Sequence, residues 1–282
     1  MRTVYLNGEY VLEKNAKVSI FDRAFLFSDA VYEVTTVLRG KLVDFSNHMK
    51  RLKRSMKELN FDNTINEKVF LKFHRELIIK NNLKEGIIYL QVSRGIAERD
   101  FNFPKNLEPT ISAFTQKKKL INNSSSKKGI SIITIEDFRW KRCDIKTTQL
   151  LYPSFAKNEA FKRGADDAWM TKNNYIMEGT SNNAWIIRNK IVYTRQADNL
   201  ILNGITRKAV LDVAKDIGYK VIFKQFTTQE AELADEAFIT SATTFVTGVI
   251  KINGKSLKKG KIGIFTKELR KAYINRALKN LK

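Results

Sequence analysis

The sequence predicts an α+β chain folded as two domains, on three observations. Its 282 residues exceed the roughly 150 expected of one ordinary domain. Residues 117–129, from Lys117-Lys118-Lys119 through Asn122-Asn123-Ser124-Ser125-Ser126 to Gly129, break the pattern on either side and read as a linker. On both sides of it, short β-branched runs alternate with apolar stripes of helical spacing. The predicted division is an N-terminal α+β domain over 1–116, a linker over 117–129 and a C-terminal domain over 130–282.

Tyr5–Leu12 reads as a hairpin, because Asn7-Gly8 tolerates the positive φ that both central positions of a tight turn need. Val31–Leu38 is rich in β-branched residues and turns at Arg39-Gly40 into a partner strand at Leu42–Phe45. Ser46 then stands as N-cap of a helix whose apolar residues are Phe45, Met49, Leu52, Met56 and Leu59. A second helix covers about Asn66–Asn81, and Ile87–Arg94 and Thr110–Thr115 read as strands. Past the linker, Ile130–Glu136 alternates as a strand and Leu150–Arg163 reads as a helix. Ala168–Thr171, Tyr175–Met177, Ala184–Arg188 and Lys190–Thr194 are short strands. Thr206–Ile217 puts Ala209, Val210, Val213, Ala214 and Ile217 on one face and stops at Gly218, a residue suited to a helix C-terminus. Strands at about Tyr219–Lys224 and Glu236–Thr240, a Thr/Ser turn and a helix near Lys267–Leu281 complete the pattern.

Composition removes whole classes of function. With 43% hydrophobic residues the chain can bury a proper core. Cys143 alone cannot close an intrachain disulfide, which suggests a reducing compartment, and with only His48 and His74 beside it no zinc site is expected. No apolar run approaches the roughly 18 residues of a membrane span, and Met1–Gly8 meets a polar turn before a signal core forms. The expectation is a soluble cytoplasmic protein without a metal. The 51 Lys+Arg against 29 Asp+Glu leave a net charge of +22, with eleven basic residues between Lys251 and Lys282 against the single Glu268. Such a surface attracts polyanions. However, lysines recur throughout the chain, and the basic residues lack the aromatic interleaving of a single-strand platform. A non-enzymatic nucleic-acid binder is therefore the minor reading.

Four stretches invite chemistry. Gly254–Lys261 only imitates a phosphate loop: its glycines are one residue too far apart, and Ile262 stands where Ser or Thr would bind magnesium. Gly204-Ile205-Thr206-Arg207 opens a helix whose free N–H groups and dipole suit a phosphate, although alone it reads rather as an ordinary helix start. Thr240-Ser241-Ala242-Thr243-Thr244 is a polar turn after a strand. Glu178 lies before the small-residue turn Gly179-Thr180-Ser181-Asn182-Asn183, where alone it reads as a turn residue.

In combination these stretches resemble a family. The ordered series Glu178-Gly179-Thr180-Ser181-Asn182-Asn183-Ala184-Trp185, Val192-Tyr193-Thr194 and Leu202-Asn203-Gly204-Ile205-Thr206-Arg207 resembles the signature of the class IV (fold type IV) pyridoxal-phosphate aminotransferases. Asp22–Val34, His48-Met49-Lys50-Arg51-Leu52 and Arg139–Lys146 look like the same family, and the D-amino-acid (D-alanine) aminotransferases are the nearest subgroup. Trp185 replaces a usual Phe or Tyr, and Ser28 and Ala30 replace usual glycines. The resemblance implies a smaller α/β N-terminal domain, a larger β-barrel-like C-terminal domain with flanking helices, a pyridoxal 5'-phosphate cofactor and a homodimer.

Carried over residue by residue, the resemblance makes Lys146 the Schiff-base lysine and Glu178 the carboxylate facing the pyridine nitrogen. Lys157, a competitor by spacing, lies inside a predicted helix and matches no motif lysine. Arg51, Ile205, Thr206, Ala242 and Thr243 match the phosphate cup, Ala242 through its backbone alone. Tyr32 and Arg99 match the substrate-carboxylate contacts, but Phe101 stands where the subgroup has a histidine. The implied reaction passes an amino group from an amino acid, most simply D-alanine, to a 2-oxo acid such as 2-oxoglutarate. A branched-chain L-amino-acid aminotransferase and an aminodeoxychorismate lyase are the alternatives that Phe101 leaves open.

Overall fold

The computed structural model describes residues 1–62 and 64–282 and divides into two compact units. Unit 1 is Met1–Lys119 with Ile145–Gln149 and Asn280–Lys282; unit 2 is Leu120–Asp144 with Leu150–Lys279.

In unit 1, β1 (Thr3–Leu6) and β2 (Glu9–Leu12) form the expected hairpin, with Asn7 at φ 46° and Gly8 at φ 99°. One helical turn, α1 (Arg23–Phe27), is too short to show a period; the Asp22 carboxylate caps it by accepting from the Ala24 N–H at 2.8 Å. β3 (Ala30–Leu38) turns into β4 (Lys41–Leu42), which is shorter than the strand expected at Leu42–Phe45. Asp44 takes φ 53° and α2 (Phe45–Glu58) begins at the next residue. Phe45 is buried with Met49 and Leu52, so the helical stripe claims it. Ser46, expected as the N-cap, lies inside the first turn and donates to Glu67 Oε1 at 2.8 Å. α3 (Glu67–Lys80) is capped by the Asn66 side chain.

With β5 (Glu85–Ser93) and β6 (Ile111–Lys117) the strands form a six-stranded antiparallel sheet in the order β2-β1-β6-β5-β3-β4. α2 and α3 lay Phe45, Met49, Leu52, Phe73 and Leu77 against Val31, Ile88 and Leu90. Each such side chain contributes about 1.5–3 kcal/mol by leaving water. Residues 145–149 run beside β3: the Tyr32 N–H donates to Lys146 O at 3.0 Å and the Thr148 N–H to Ala30 O at 3.1 Å.

Unit 2 begins within the segment read as a linker. There Asn123 accepts from the Ser126 N–H at 2.7 Å and caps α4 (Ser124–Lys128). In chain order follow β7 (Ile130–Glu136), α5 (Leu151–Lys162), β8 (Asp167–Lys172), β9 (Tyr175–Gly179), β10 (Asn183–Arg188) and β11 (Ile191–Thr194). Next come α6 (Ile205–Asp216), β12 (Val221–Phe223), α7 (Thr228–Glu232), β13 (Glu236–Ser241), β14 (Phe245–Ile252), β15 (Lys255–Ser256) and α8 (Ile264–Lys279). The nine-stranded sheet runs β12-β11-β10-β13-β14-β7-β8-β9, with β15 beside β14.

β9 ends this path, yet the turn Thr180–Asn182 joins it directly to β10 near the other end, and the Gly179 N–H donates to Asn182 O at 2.8 Å. The sheet therefore curls back on itself, around Trp169, Ile176, Ile186, Phe226 and Ile239. The α+β class and the barrel-like sheet are as expected. Among the described residues no helix is long and apolar enough to cross a membrane.

His74 on α3 is wholly buried, stacked on Phe73 and edge-on to Phe45, with Nδ1 2.7 Å from Phe70 O. Burial holds it down at about 4, with help from the His48 charge and against the pull of the Phe70 carbonyl. Between about pH 6.5 and 4 the unfolded chain binds a proton that the folded chain refuses. Stability is thus complete above pH 6.5 and falls on acidification, by on the order of 3 kcal/mol from this group alone. Denaturant titrations across pH should show that acid limb, and His74→Phe should flatten it between pH 6.5 and 4; an unchanged limb would assign the acid sensitivity to other groups.

Candidate active site

Glu178 is the last residue but one of β9 and is buried. Its Oε1 accepts from Arg139 Nη1 at 2.7 Å, and its Oε2 accepts from Asn183 Nδ2 and the Leu202 N–H, each at 3.1 Å. Arg139 is itself fixed, donating from Nε and Nη2 to Asp137 Oδ1 and Oδ2 at 3.0 and 2.8 Å. Burial raises Glu178 above the ordinary carboxylate value, and Asp137 adds to the rise. The Arg139 charge and hydrogen bond, with the Leu202 N–H, oppose it. The arginine is the chief force that favours the anion.

Asn183 ties this carboxylate to the helix that follows. Its Nδ2 also donates to Leu202 O at 2.8 Å, and its Oδ1 would lie 2.3 Å from a Cβ placed on Gly204. Only glycine lets the chain pass there, and α6 opens at the next residue. No side chain caps α6, and the N–H groups of Ile205 and Thr206 have no acceptor among the described residues. Free donors at a helix start are suited to a phosphate.

At the end of β13, Ser241 Oγ accepts from the Thr243 N–H at 3.3 Å and the Thr244 N–H at 3.1 Å, and lies 2.8 Å from the Thr244 hydroxyl. The Thr243 amide is thus turned onto Ser241, and hydroxyl groups are what the turn 241–244 offers. Phe245 follows at φ 59° while fully buried, a conformation that costs an L residue about 1–2 kcal/mol. Arg270 on α8 holds it, donating to Thr244 O at 2.8 Å and Val246 O at 2.6 Å. Strain sustained in this way collects at ligand sites.

Unit 1 carries Lys146. Its N–H donates to Ser55 Oγ at 3.3 Å, and its Nζ stands 4.0 Å from the centre of the Tyr32 ring. No carboxylate pairs with it among the described residues. Tyr32 stacks on Tyr89. Lys157, on α5 in unit 2, is 53% exposed and lies 3.4 Å from the buried Asp167, so it is engaged in an ion pair. Arg51 on α2 grips Glu33, Nε to Oε1 at 2.8 Å and Nη2 to Oε2 at 2.7 Å, and His48 Nδ1 lies 2.7 Å from Oε2. Burial would raise Glu33, but Arg51 and His48 outweigh it and hold the carboxyl down at about 2. Arg51 is therefore a cation fixed in place.

Arg99 is exposed in the loop after β5, over the rings of Phe27 at 5.4 Å and Phe101 at 5.5 Å, with no hydrogen bond among the described residues. That loop is anchored by Arg23 and Arg94, whose Nε atoms both donate to Asp29 Oδ2, at 2.8 and 2.7 Å.

Unit 2 thus brings Glu178, Ile205 and Thr206 onto one hydrogen-bonded stretch, and unit 1 brings Lys146 to Tyr32. Among the described residues, Arg99 meets none of the other expected site residues of unit 1. Sequence reasoning passes over Arg139, Asn183, Glu33, His48 and Ser241 as participants. A signal existed for Arg139, since a buried carboxylate demands a cation and Arg139 lies in a stretch that already resembles the family. A buried anion followed by an uncapped helix start fits a small ring with a protonated nitrogen at one end and a phosphate at the other.

The sequence profile described as amino-transferase class IV matches residues 30–252. The chain is 37% identical over 276 residues to the D-alanine aminotransferase of Staphylococcus aureus (strain MSSA476), covering 97% of each. It superposes on the branched-chain amino acid aminotransferase of Escherichia coli with a TM-score of 0.91 at 22% identity, covering 98% of this chain and 94% of that one. The branched-chain aminotransferase of the thermophilic archaeon Thermoproteus uzoniensis with norvaline gives a TM-score of 0.89 at 24% identity, covering 100% and 98%. At such identities the two structures speak for the fold alone.

Cys143 sits beside the Glu178 cluster, its Sγ 3.1 Å from Trp140 O. Burial pushes the thiol up to about 12; Arg139 pulls it down, and the carboxylates of Glu178, Asp137 and Asp144 push it up again. The thiolate is the reactive form. Cys143 should therefore resist iodoacetamide at pH 8 in the folded chain and react once denatured, as followed by intact mass; fast labelling of the native protein would contradict this.

Proposed function

Since the chain belongs to the class IV aminotransferases, we propose that it transfers the amino group of a D-amino acid, D-alanine above all, to a 2-oxo acid such as 2-oxoglutarate, with pyridoxal 5'-phosphate as cofactor. The likeness to a D-alanine aminotransferase along nearly the whole of both chains is the observation that carries this reading. When bound, the cofactor supplies an aldehyde for the amine and a ring that draws electrons from the substrate's α-carbon.

The chain's own residues divide the remaining work. Lys146, an amine without a carboxylate partner among the described residues, would be the covalent anchor and would carry the proton at the α-carbon. Glu178 would accept the ring N–H and keep its proton in place. The N–H groups of Ile205 and Thr206, the turn at Ala242 and Thr243, and the fixed charge of Arg51 would hold the phosphate. Arg99 would receive the substrate carboxylate with its fork, and Tyr32 would line the same approach. Phe101 puts a ring beside Arg99 where the subgroup has a second donor, so carboxylate binding would rest more heavily on the arginine.

The chain would act as a homodimer. Ile20, Phe21, Phe25, Ile96, Phe101 and Phe103 are exposed in unit 1, and apolar surface of this kind is covered when a second copy associates.

Three measurements check this reading. The purified chain should be yellow; a colourless protein with steeply salt-dependent binding to DNA or RNA would favour the nucleic-acid reading. D-alanine, L-leucine and aminodeoxychorismate should be offered separately, following pyruvate, the 2-oxo acid and 4-aminobenzoate. Turnover of D-alanine with 2-oxoglutarate is expected, and turnover of only one of the other two would transfer the chain to that activity. Lys146→Ala should lower transamination at least about a hundredfold while Lys157→Ala keeps most of it; equal losses would mean that the lysine is misassigned.

A further inference from the structure

We propose that Arg139 is a positioning residue for the cofactor: through its bond to Glu178 it keeps that carboxylate ionised and aimed, and thereby sets how tightly the chain holds a protonated ring nitrogen. This rests on the reading that Glu178 meets the pyridine nitrogen.

The two oxygens of Glu178 are served differently. Oε2 accepts only from neutral donors, the Asn183 amide and the Leu202 N–H, whereas Oε1 accepts from the Arg139 guanidinium at 2.7 Å. A carboxyl buried this deeply takes up a proton unless a cation faces it, and a protonated carboxyl would offer the ring nitrogen no counter-charge. Arg139 is the cation in contact.

Its geometry also favours arginine over lysine. Nε and Nη2 chelate Asp137 while Nη1 reaches Glu178, so one planar fork is oriented by the first carboxylate and spent on the second. Asp137, Arg139 and Glu178 together carry a charge of minus one, which one protonated ring nitrogen would neutralise. The other titratable groups around Glu178 do not replace Arg139. Cys143 is held as a neutral thiol, and Arg207 on α6 donates from Nη2 to Arg195 O at 2.8 Å. Arg207 senses the Glu178 charge, but no hydrogen bond joins the two among the described residues.

The test compares two ligands by isothermal titration calorimetry on the full chain freed of carried-over cofactor. One is pyridoxal 5'-phosphate and the other its 1-deaza analogue, in which C–H replaces the ring nitrogen. The wild-type chain should prefer the natural cofactor. Arg139→Met and Arg139→Gln should each cut that preference about tenfold, by weakening the natural cofactor and sparing the analogue, whereas Arg139→Lys, which keeps the charge, should retain most of it. If Arg139→Met does not fold, the contrast between the Gln and Lys variants decides. Equal weakening of both ligands, a wild-type preference in Arg139→Gln, or a Lys variant no better than Gln would overturn the proposal. Glu178→Gln separates the two levels. If it too keeps the preference, the placement of Glu178 is wrong; if it loses the preference while Arg139→Gln keeps it, only the role of Arg139 fails.

Discussion

Burying Glu178 as an anion is the constraint on which the rest of unit 2 depends. A carboxylate taken out of water costs several kcal/mol unless a cation and well-aligned donors replace its hydration. Here the replacements come from three places in the chain: Arg139 after β7, Asn183 at the start of β10 and the Leu202 N–H ahead of α6. Bringing them to one point requires β9 to end at Gly179, turn within three residues and hand over to β10, which is what curls the sheet. It also requires the chain to pass hard against Asn183 at Gly204, where a Cβ would collide with the amide oxygen. The uncapped start of α6 is thereby delivered onto the same stretch as the carboxylate. The fold and the anion-plus-phosphate pattern are one solution to a single electrostatic problem.

Unit 1 obeys the same rule for its buried acids. Glu33 is matched by Arg51 and His48, and Asp29 by Arg23 and Arg94. Lys146, brought beside β3, is given the face of Tyr32 in place of a carboxylate. A cation over a ring gains roughly 0.5–2 kcal/mol, less than a buried ion pair holds in place. The Lys146 amine is tied to no carboxylate among the described residues and is free to change partners, whereas Lys157, 3.4 Å from Asp167, is held in an ion pair. The two lysines that spacing could not separate are distinguished by what faces them.

How much is legible in the sequence depends on whether a signal is local. The Asn7-Gly8 hairpin, the stripe from Phe45 to Leu59 and the strand-turn run from Asp167 to Thr194 are written in neighbouring residues, and all form with small shifts at their ends. The start of α2 misleads at Ser46 because a capping residue and a first-turn serine look alike until Phe45 is known to be buried. β14 escapes a sequence reading because Gly248 interrupts its alternation; the glycine is there for Ile262, which sits where its Cβ would be. α7 carries a readable capping box from Thr227 to Glu230, but five residues show no period. At the candidate site the motif residues are legible and their supports are not. Glu178 can be singled out by resemblance, but its grip by Arg139 is a contact across 39 positions. The same holds for Glu33 and Arg51, 18 apart.

The charge imbalance is one of composition, and the fold decides where the few acids go. Buried Asp22, Glu33, Asp167, Glu178 and Glu236 are drawn from only 29 acidic residues, and each has a structural partner. Glu236 is the plainest case: its carboxylate accepts from the N–H groups of Phe265 and Thr266 and holds the start of α8, where a negative charge is favoured by the helix dipole. Acids used in this way cannot balance lysines outside, and most lysines are exposed, as at Lys251, Lys255, Lys258 and Lys259. Arginines such as Arg23, Arg51, Arg94 and Arg139 are drawn in beside acids, so the inner charges largely cancel and the net +22 is carried by the exposed lysines. For an aminotransferase both substrates are carboxylates, so a positive exterior raises their local concentration and the rate of encounter, within the roughly 8 Å over which charges act at physiological salt. A basic composition that first suggests a polyanion is equally what small acid substrates would favour.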